Sequence, residues 1–232
     1  RKAGGGTLPC RASRINRTGW TCRIPIRRRP AGGHLMFHDG QRGELVLRLP
    51  EWLRQFWIAQ ARPFDTVEAK MRFAIELAGQ NIERQTGGPF GAAIFDADSG
   101  RLIAPGVNIV EPSNCSIAHA EMVAIALAQQ AIGSYDLGAG EMFCELVTST
   151  EPCAMCLGAI PWSGVRRVLC GARGEDACAI GFDEGAKPAD WVGALQGRQI
   201  EVVQDLCRTE AQAVLQHYRT ISGHIYNAQR GR

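Results

Sequence analysis

Hydrophobic residues recur along the chain with a helical period in some segments and in short continuous runs in others. Between Val67 and Gln85 they return every three or four positions, which predicts a helix with Asp65 as its N-cap. Pro50–Ala61 has the spacing of a shorter amphipathic helix. The residues Thr86 to Pro89 then break the pattern with two glycines and a proline, so the first helical region ends there.

Five short apolar runs predict β-strands, and from the third strand onward helical segments alternate with them. A helix between two strands favours parallel pairing, whereas the first two runs are joined by a tight turn that favours an antiparallel pair. We therefore expect a three-layer α/β/α fold with a mixed central sheet of about five strands. The strands are predicted at 91–97, 102–110, 143–149, 165–170 and 200–203, and the later helices at 119–131, 153–162 (capped by Thr150 or Glu151) and 209–220.

Charge divides the chain into two parts. Residues 1–43 carry ten Lys or Arg and one acid, a net charge of +9, while residues 44–232 carry −6 and the whole chain +3. The first part lacks apolar periodicity, so we expect a disordered basic extension, followed by one folded domain over 44–232. A true start at Met36, a basic arm that touches nucleic acid and a mitochondrial-type presequence are alternatives for residues 1–43.

Several classes of protein are disfavoured by composition. No apolar run reaches the length of about 18 residues that a membrane helix needs, and the first 35 residues lack the apolar core of a signal peptide. Nine cysteines, an odd number, do not suggest a disulfide framework. The acidic body argues against nucleic acid as the main partner. These observations predict a cytoplasmic protein with reduced thiols.

Two short motifs carry the chemistry. His119-Ala120-Glu121 opens one predicted helix, and Pro152-Cys153-Ala154-Met155-Cys156 opens another 34 residues later. A βαβ unit has about this length, so both helix N-termini could meet on one side of the sheet. One imidazole and two thiolates are three of the four ligands that zinc prefers, which predicts one Zn²⁺ per site. Water would complete a catalytic site, whereas Cys170 or Cys178 could close a structural one.

Glu121 lies two residues from His119, where a first-turn carboxylate can reach water at the metal. A carboxylate in that place can take a proton from the water and pass it on. His-x-Glu followed by Pro-Cys-x-x-Cys is the known signature of zinc-dependent nucleobase deaminases. The alternative of a different class is a zinc-stabilised module without catalysis, in which Glu121 would have no role.

Three stretches carry a resemblance to a known family: Gly87–Ala92, Ala118–Glu121 and Ile180–Gly185. The chain resembles the cytidine deaminase-like superfamily and, within it, the bacterial guanine deaminases, over about residues 65–232. The first and last stretches are closer to guanine deaminases than to tRNA adenosine deaminases. The resemblance implies a three-layer fold and hydrolytic deamination of guanine to xanthine and ammonia. Cytosine, an aminotriazine such as ammeline, and tRNA adenosine remain alternative substrates.

The resemblance also assigns roles to individual residues. His119, Cys153 and Cys156 would hold zinc, with Glu121 as the proton shuttle. Glu184 would be a second carboxylate facing the amino group that leaves, in preference to its neighbour Asp183.

On the substrate side, the resemblance implies that Asn108 hydrogen-bonds the purine and that Phe90 and Trp162 form walls of the base pocket. Ala120 and Tyr226 are expected to contact the base as well. The protein would act as a homodimer on a small-molecule nucleobase, and the C-terminal segment 222–227 would close the partner's active site in an exchanged arrangement.

Overall fold

The computed structural model of the chain describes residues 46–60 and 62–227. The predicted basic extension over 1–43, with Met36, lies outside the described residues, so the predicted domain division stays a prediction. None of the helices among the described residues has the length and apolar character needed to cross a membrane.

One mixed sheet of five strands organises the described chain, in the spatial order β2-β1-β3-β4-β5. β1 is antiparallel to β2 and β3, whereas β3, β4 and β5 are parallel. The predicted mixed sheet is confirmed. The elements are α1 Glu51–Ala59, α2 Val67–Glu83, β1 Gly91–Asp96, β2 Leu102–Val107, α3 Val110–Ser113, α4 Ala120–Ile132, β3 Cys144–Thr150, α5 Ala154–Ser163, β4 Arg167–Ala172, α6 Gly174–Ala179, α7 Trp191–Gln196, β5 Glu201–Val203 and α8 Arg208–Thr220.

Each face of the sheet is covered by its own helices, as the three-layer prediction requires. Successive strand residues point to opposite faces, so Phe95 and Val147 pack with α1, α2 and α8. Ile94, Leu146 and Val168 pack on the other face with α4, α5 and α7. Both faces are buried, which explains why the strands are continuous apolar runs in the sequence rather than alternating ones.

Two features of the helices differ from the predictions: the N-cap of α2 and the presence of three short helices. The N-cap of α2 is Thr66, whose hydroxyl accepts a hydrogen bond from the backbone N–H of Ala69, and not Asp65. The short helices α3, α6 and α7 were not predicted, since four to six residues are too few to show a helical period.

The end of β2, the start of β1 and the ends of β3 and β4 lie at one edge of the sheet. Gly91 at the start of β1 pairs with Val107 at the end of β2, and Thr150 at the end of β3 pairs with Ala172 at the end of β4. The segments that follow or precede these residues therefore converge. In open α/β sheets, this carboxyl edge of the parallel strands is the usual place for a ligand site.

Helix α6, which follows β4 at that edge, is tied to α8 through Asp176. Its carboxylate accepts hydrogen bonds from the backbone N–H of Arg173, from the guanidinium of Arg208 and from the amide of Gln212. The hydrogen bond from Arg208 is the main reason why the pKa of Asp176 falls to about 2. The ionised form is thus favoured in the folded chain.

The substitution Asp176→Asn is expected to lower the free energy of unfolding near neutral pH by about 1 kcal/mol, a modest value because the ion pair is partly exposed. A lowered pKa in the folded state stabilises it above the ordinary pKa of an aspartate, and this contribution is lost as pH falls from about 4 to about 2. Urea unfolding of both proteins should show the difference at pH 7 and little of it near pH 2. An equal difference at both pH values would contradict this assignment.

Candidate active site

The two predicted metal-binding motifs lie at the first residues of α4 and α5. His119 is the N-cap of α4 and Cys153 is the N-cap of α5, both with extended backbone. Neither side chain caps its helix, so both are free to point to a common centre. The predicted capping of α5 by Thr150 or Glu151 is wrong, because Thr150 ends β3 and Glu151 uses its carboxylate elsewhere.

The side chains of His119, Cys153 and Cys156 form one compact cluster. Nδ1 of His119 lies 3.6 Å from the sulfur of Cys153 and 3.6 Å from that of Cys156. Zinc bonds of about 2.0 Å to nitrogen and 2.3 Å to sulfur place such atoms about 3.5 Å apart in a tetrahedron. The three residues therefore fit a zinc ion. Among the residues that the structure describes, neither Cys170 nor Cys178 belongs to this cluster.

The cluster favours one thiolate even before a cation is added. A hydrogen bond from Cys156, with a further one from His119, lowers the pKa of Cys153 to about 4, although burial opposes this. The pKa of Cys156 is raised by the same hydrogen bond and by burial. Burial alone would lower the pKa of His119, but Cys153 and nearby carboxylates raise it. A divalent cation among these atoms would compensate the concentration of negative charge.

Two carboxylates face the same space and are predisposed to carry protons. Burial, with the nearby charge of Cys153, raises the pKa of Glu121 to about 7. The same two causes raise the pKa of Glu184 to about 8. Groups with pKa values near neutrality can both accept and donate a proton at little cost. Both predicted catalytic carboxylates are thus suited to proton transfer.

A cavity of about 430 Å³ opens beside the cluster and is lined by His119, Cys153, Glu121 and Glu184. Aromatic rings form its other wall: Phe182 lies edge-on to Phe90 at 4.9 Å between centroids and tilted against Tyr226 at 5.1 Å. A concave site with an apolar wall and a few polar groups is typical of a small-molecule pocket. Its planar aromatic lining suits a flat heterocycle.

A second, larger cavity of about 740 Å³ lies between the end of α2, α3 and the end of α8. It is bordered by Glu111 and His224, whose side chains are hydrogen-bonded, and by none of the cluster residues. The smaller cavity is therefore the candidate active site, because it is lined by cluster residues and by both carboxylates.

Three buried polar atoms around the site have no hydrogen-bond partner among the described residues. They are Nδ2 of Asn108, Oε2 of Glu184 and the hydroxyl of Tyr226. Glu184 and Tyr226 line the cavity, whereas Asn108 does not and is joined to it through a backbone hydrogen bond to Phe90. An unpaired buried polar atom costs free energy, so such groups are rare unless a ligand satisfies them. All three belong to residues that the sequence analysis assigned to substrate or catalysis. Together they provide donors and an acceptor for a polar ligand.

Asn108 follows the last residue of β2, one position outside the strand. Its Oδ1 accepts the backbone N–H of Val110, which leaves Nδ2 as its free polar atom. Its backbone crosses the Gly87–Gly88 turn so closely that a Cβ at Gly87 would lie 1.8 Å from the Asn108 carbonyl oxygen. A Cβ at Gly88 would lie 2.4 Å from the hydroxyl of Tyr226. The turn thus requires glycine at Gly87, where the neighbour is backbone, whereas a side chain at Gly88 would displace Tyr226.

Two other predicted substrate residues lie away from the cavity wall. Trp162 in the last turn of α5 is 84% exposed and does not line the cavity of its own chain. Ala120 is buried in the first turn of α4, between His119 and Glu121. Its contact with a base stays a prediction, as does the role of Trp162.

The C-terminal segment 222–227 lies over the cavity of its own chain. The side-chain amide of Asn227 accepts from the backbone N–H of Asp183 and donates to the carbonyl of Gly181. Tyr218 donates a hydrogen bond to the backbone carbonyl of His224, whose ring pairs with Glu111. The exchange of this segment between protomers is not needed for these contacts.

Sequence reasoning named Glu151 only as a candidate helix cap, and it missed Lys187. The carboxylate of Glu151 accepts hydrogen bonds from the backbone N–H of Gly174, the ammonium of Lys187 and the amide of Gln204. This links the segment before Cys153 to the loop that carries Glu184. Glu151 and Lys187 are far apart from each other in the chain and belong to no spacing motif. The Thr-Glu-Pro sequence before Cys153 is the only weak indication in the sequence that Glu151 has a role near the cluster.

Comparisons with known proteins agree with this geometry. The family model of the cytidine and deoxycytidylate deaminase zinc-binding region matches residues 65–172. The guanine deaminase of Bacillus subtilis is 43% identical over 117 residues, which are 50% of this chain and 71% of that protein. The chain belongs to the cytidine deaminase-like superfamily, in the branch of the guanine deaminases.

Solved structures of this family extend the similarity beyond the zinc-binding region. The guanine deaminase of Nitrosomonas europaea is 47% identical, with a TM-score of 0.73 over 76% of this chain and 97% of that one. A structure of the protein NE0047 in complex with 2,6-diaminopurine is 48% identical, with a TM-score of 0.74 over 79% of this chain and 97% of that one. The similarity to these structures therefore covers more of the chain than the residues 65–172 that the family model matches.

The purified protein is expected to hold about one zinc ion per chain, because three ligand atoms fit one tetrahedral ion. Cys153→Ala and His119→Ala should each lose most of this zinc, measured by elemental analysis. Cys170→Ala and Cys178→Ser are the matched controls and should retain it. Zinc loss in either control would show that a third cysteine takes part as the fourth ligand.

Proposed function

We propose that the protein catalyses the hydrolytic deamination of guanine to xanthine and ammonia. The observation that carries this proposal is a pair of unpaired buried polar atoms, from Glu184 and Tyr226, in the wall of one cavity beside a zinc-type cluster. A third such atom, Nδ2 of Asn108, lies on a residue whose backbone is hydrogen-bonded to Phe90 of that wall. The guanine deaminase relatives support the choice of base. The substrate is a small molecule, for which a cavity of about 430 Å³ is large enough.

Guanine carries hydrogen-bonding groups that could pair with these three atoms. Its ring nitrogens and its carbonyl oxygen accept hydrogen bonds from Nδ2 of Asn108 and from the Tyr226 hydroxyl, and its exocyclic amine faces a carboxylate. The rings of Phe90 and Phe182 would pack along the base, since aromatic pairs favour edge-on and offset contacts. Satisfying three buried polar atoms at once gives specificity, because a base without matching groups leaves them unpaired.

His119, Cys153 and Cys156 would hold the zinc ion, which when bound activates water for attack on C2 of the base. Glu121 takes the proton from the attacking water and delivers it to the adjacent ring nitrogen. Glu184 then donates a proton to the exocyclic amine as the C2–N bond breaks, and the proton that the C2 hydroxyl loses on becoming the carbonyl of xanthine restores the proton of Glu184. One water enters, and xanthine and ammonia leave.

The zinc-loaded protein is expected to release ammonia fastest from guanine in a panel that also contains adenine, cytosine, ammeline, guanosine and cytidine. Glu121→Gln and Glu184→Gln should each lower kcat on guanine by at least about 100-fold, since each removes a proton carrier. Both variants should keep their zinc.

If cytosine or ammeline reacted faster than guanine, the choice of base would be wrong while the proton-transfer roles could stand. If Glu121→Gln left ammonia release unchanged, the catalytic assignment itself would be wrong, and a zinc-stabilised module without catalysis would be the better description.

We further propose that the protein is a homodimer whose C-terminal segments can be exchanged. Exchange preserves every contact made by the segment 222–227, because each partner copy offers the same surface. Trp162, exposed in the single chain, would then have a partner surface to cover it.

Exchange can be tested by complementation. A chain truncated after Gly223 lacks Tyr226, and a Glu121→Gln chain lacks its proton carrier, so each alone should be nearly inactive. Exchange predicts that the two chains regain activity when co-expressed, because the tail of one completes the intact site of the other. No recovery in mixed dimers would assign the tail to its own chain.

The cytoplasm is the compartment we propose. Seven cysteines among the described residues are free thiols, including the two of the cluster. Thiols are kept reduced there, and thiolate ligands require this state.

A further inference from the structure

A network of hydrogen bonds outside the cavity ends on the backbone of Gly88 and of Asn108, two segments that the proposed function assigns to base binding. It consists of Trp52 on α1, Thr86 after α2 and Asn81 within α2. Asn81 is fully buried, and its side-chain amide donates one hydrogen bond to the carbonyl of Gly88 and one to the carbonyl of Asn108, both at 2.8 Å. A single side chain thus joins two segments that are 20 residues apart.

Asn81 is itself fixed by its neighbours. The Thr86 hydroxyl donates to Oδ1 of Asn81 at 2.7 Å, and the indole N–H of Trp52 donates to that hydroxyl at 3.0 Å. The indole lies edge-on to Phe56 and under the guanidinium of Arg84. Every polar group of the Asn81 side chain is therefore used, and its orientation is determined.

The two acceptors of Asn81 belong to the part of the site that would contact the base. Asn108 carries the unpaired Nδ2, and its backbone N–H donates to the carbonyl of Phe90 at 3.1 Å. Gly88 lies against the hydroxyl of Tyr226, and Phe90 lines the cavity. Neither acceptor belongs to the zinc-type cluster, which is positioned by α4 and α5.

We propose that Asn81, oriented by Thr86 and Trp52, is a positioning residue for the base: it sets the distance between Asn108 and the Gly88–Phe90 turn. The inference rests on the proposed function. It gives α1 a role in substrate binding, although α1 precedes the residues 65–172 that the family model matches. It also separates base binding from metal binding, because the two depend on different elements.

The test compares Thr86→Val, which removes the hydroxyl but keeps the branched shape, with Thr86→Ser, which keeps the hydroxyl. Asn81→Asp and Trp52→Phe are the second pair of variants. Thr66→Ala is the control, since it removes the cap of α2 and lowers stability without touching the network. Each zinc-loaded protein is assayed for KM and kcat on guanine, zinc content and melting temperature.

Binding of 2,6-diaminopurine is measured in parallel by calorimetry, in proteins that also carry Glu121→Gln to prevent turnover. Thr86→Val should raise both KM for guanine and Kd for 2,6-diaminopurine about five- to tenfold, because it removes one hydrogen bond from the network. Its kcat should stay within about twofold of that of the unchanged protein, and its zinc content should be the same. Asn81→Asp should raise both further, because it turns a donor to two carbonyls into an acceptor. Thr86→Ser and Thr66→Ala should bind as the unchanged protein does.

Trp52→Phe combined with Thr86→Val should bind no more weakly than Thr86→Val alone, since both interrupt one chain of hydrogen bonds. The inference is overturned if Thr86→Val lowers only the melting temperature, as Thr66→Ala does, or if Thr86→Ser weakens binding as much as Thr86→Val. It also fails if the unchanged protein binds no purine. A protein that binds 2,6-diaminopurine but releases no ammonia from guanine refutes the proposed function alone.

Discussion

The chemistry depends on two helix N-termini that meet at one edge of the sheet. β3 and β4 end there, and α4 and α5 begin there, so His119 and Cys153 are the N-caps of neighbouring helices. Neither side chain bonds to its own helix, which leaves an imidazole nitrogen 3.6 Å from two sulfurs. The arrangement favours a cation, because two thiols and two carboxylates share one largely buried space.

The residues proposed to bind the base lie on other elements than the cluster proposed to bind zinc. The metal cluster belongs to α4 and α5, whereas Asn108 and the Gly87–Phe90 turn belong to the loops beside β1 and β2 and are joined through Asn81. The C-terminal segment contributes Tyr226 to the wall of the cavity. Such a division allows one fold to keep its hydrolytic chemistry while different loops select different substrates.

The metal ligands and the sheet could be predicted from the sequence because their signals are local. His-x-Glu and Pro-Cys-x-x-Cys are short motifs, and buried strands are short apolar runs. Glu151 and Asn81 could not be predicted, since their partners lie 36 and 27 residues away and only the folded chain joins them. The exposure of Trp162 likewise follows from tertiary packing and not from its apolar neighbours.

The central claim is that one zinc ion is held by one imidazole and two thiolates and keeps one position open. X-ray absorption spectroscopy at the zinc edge of the loaded protein measures this directly. We predict a shell with two sulfur atoms at about 2.3 Å and two nitrogen or oxygen atoms at about 2.0 Å, one of which exchanges when a purine binds. A shell with three sulfur atoms, or one that no purine changes, would contradict the account.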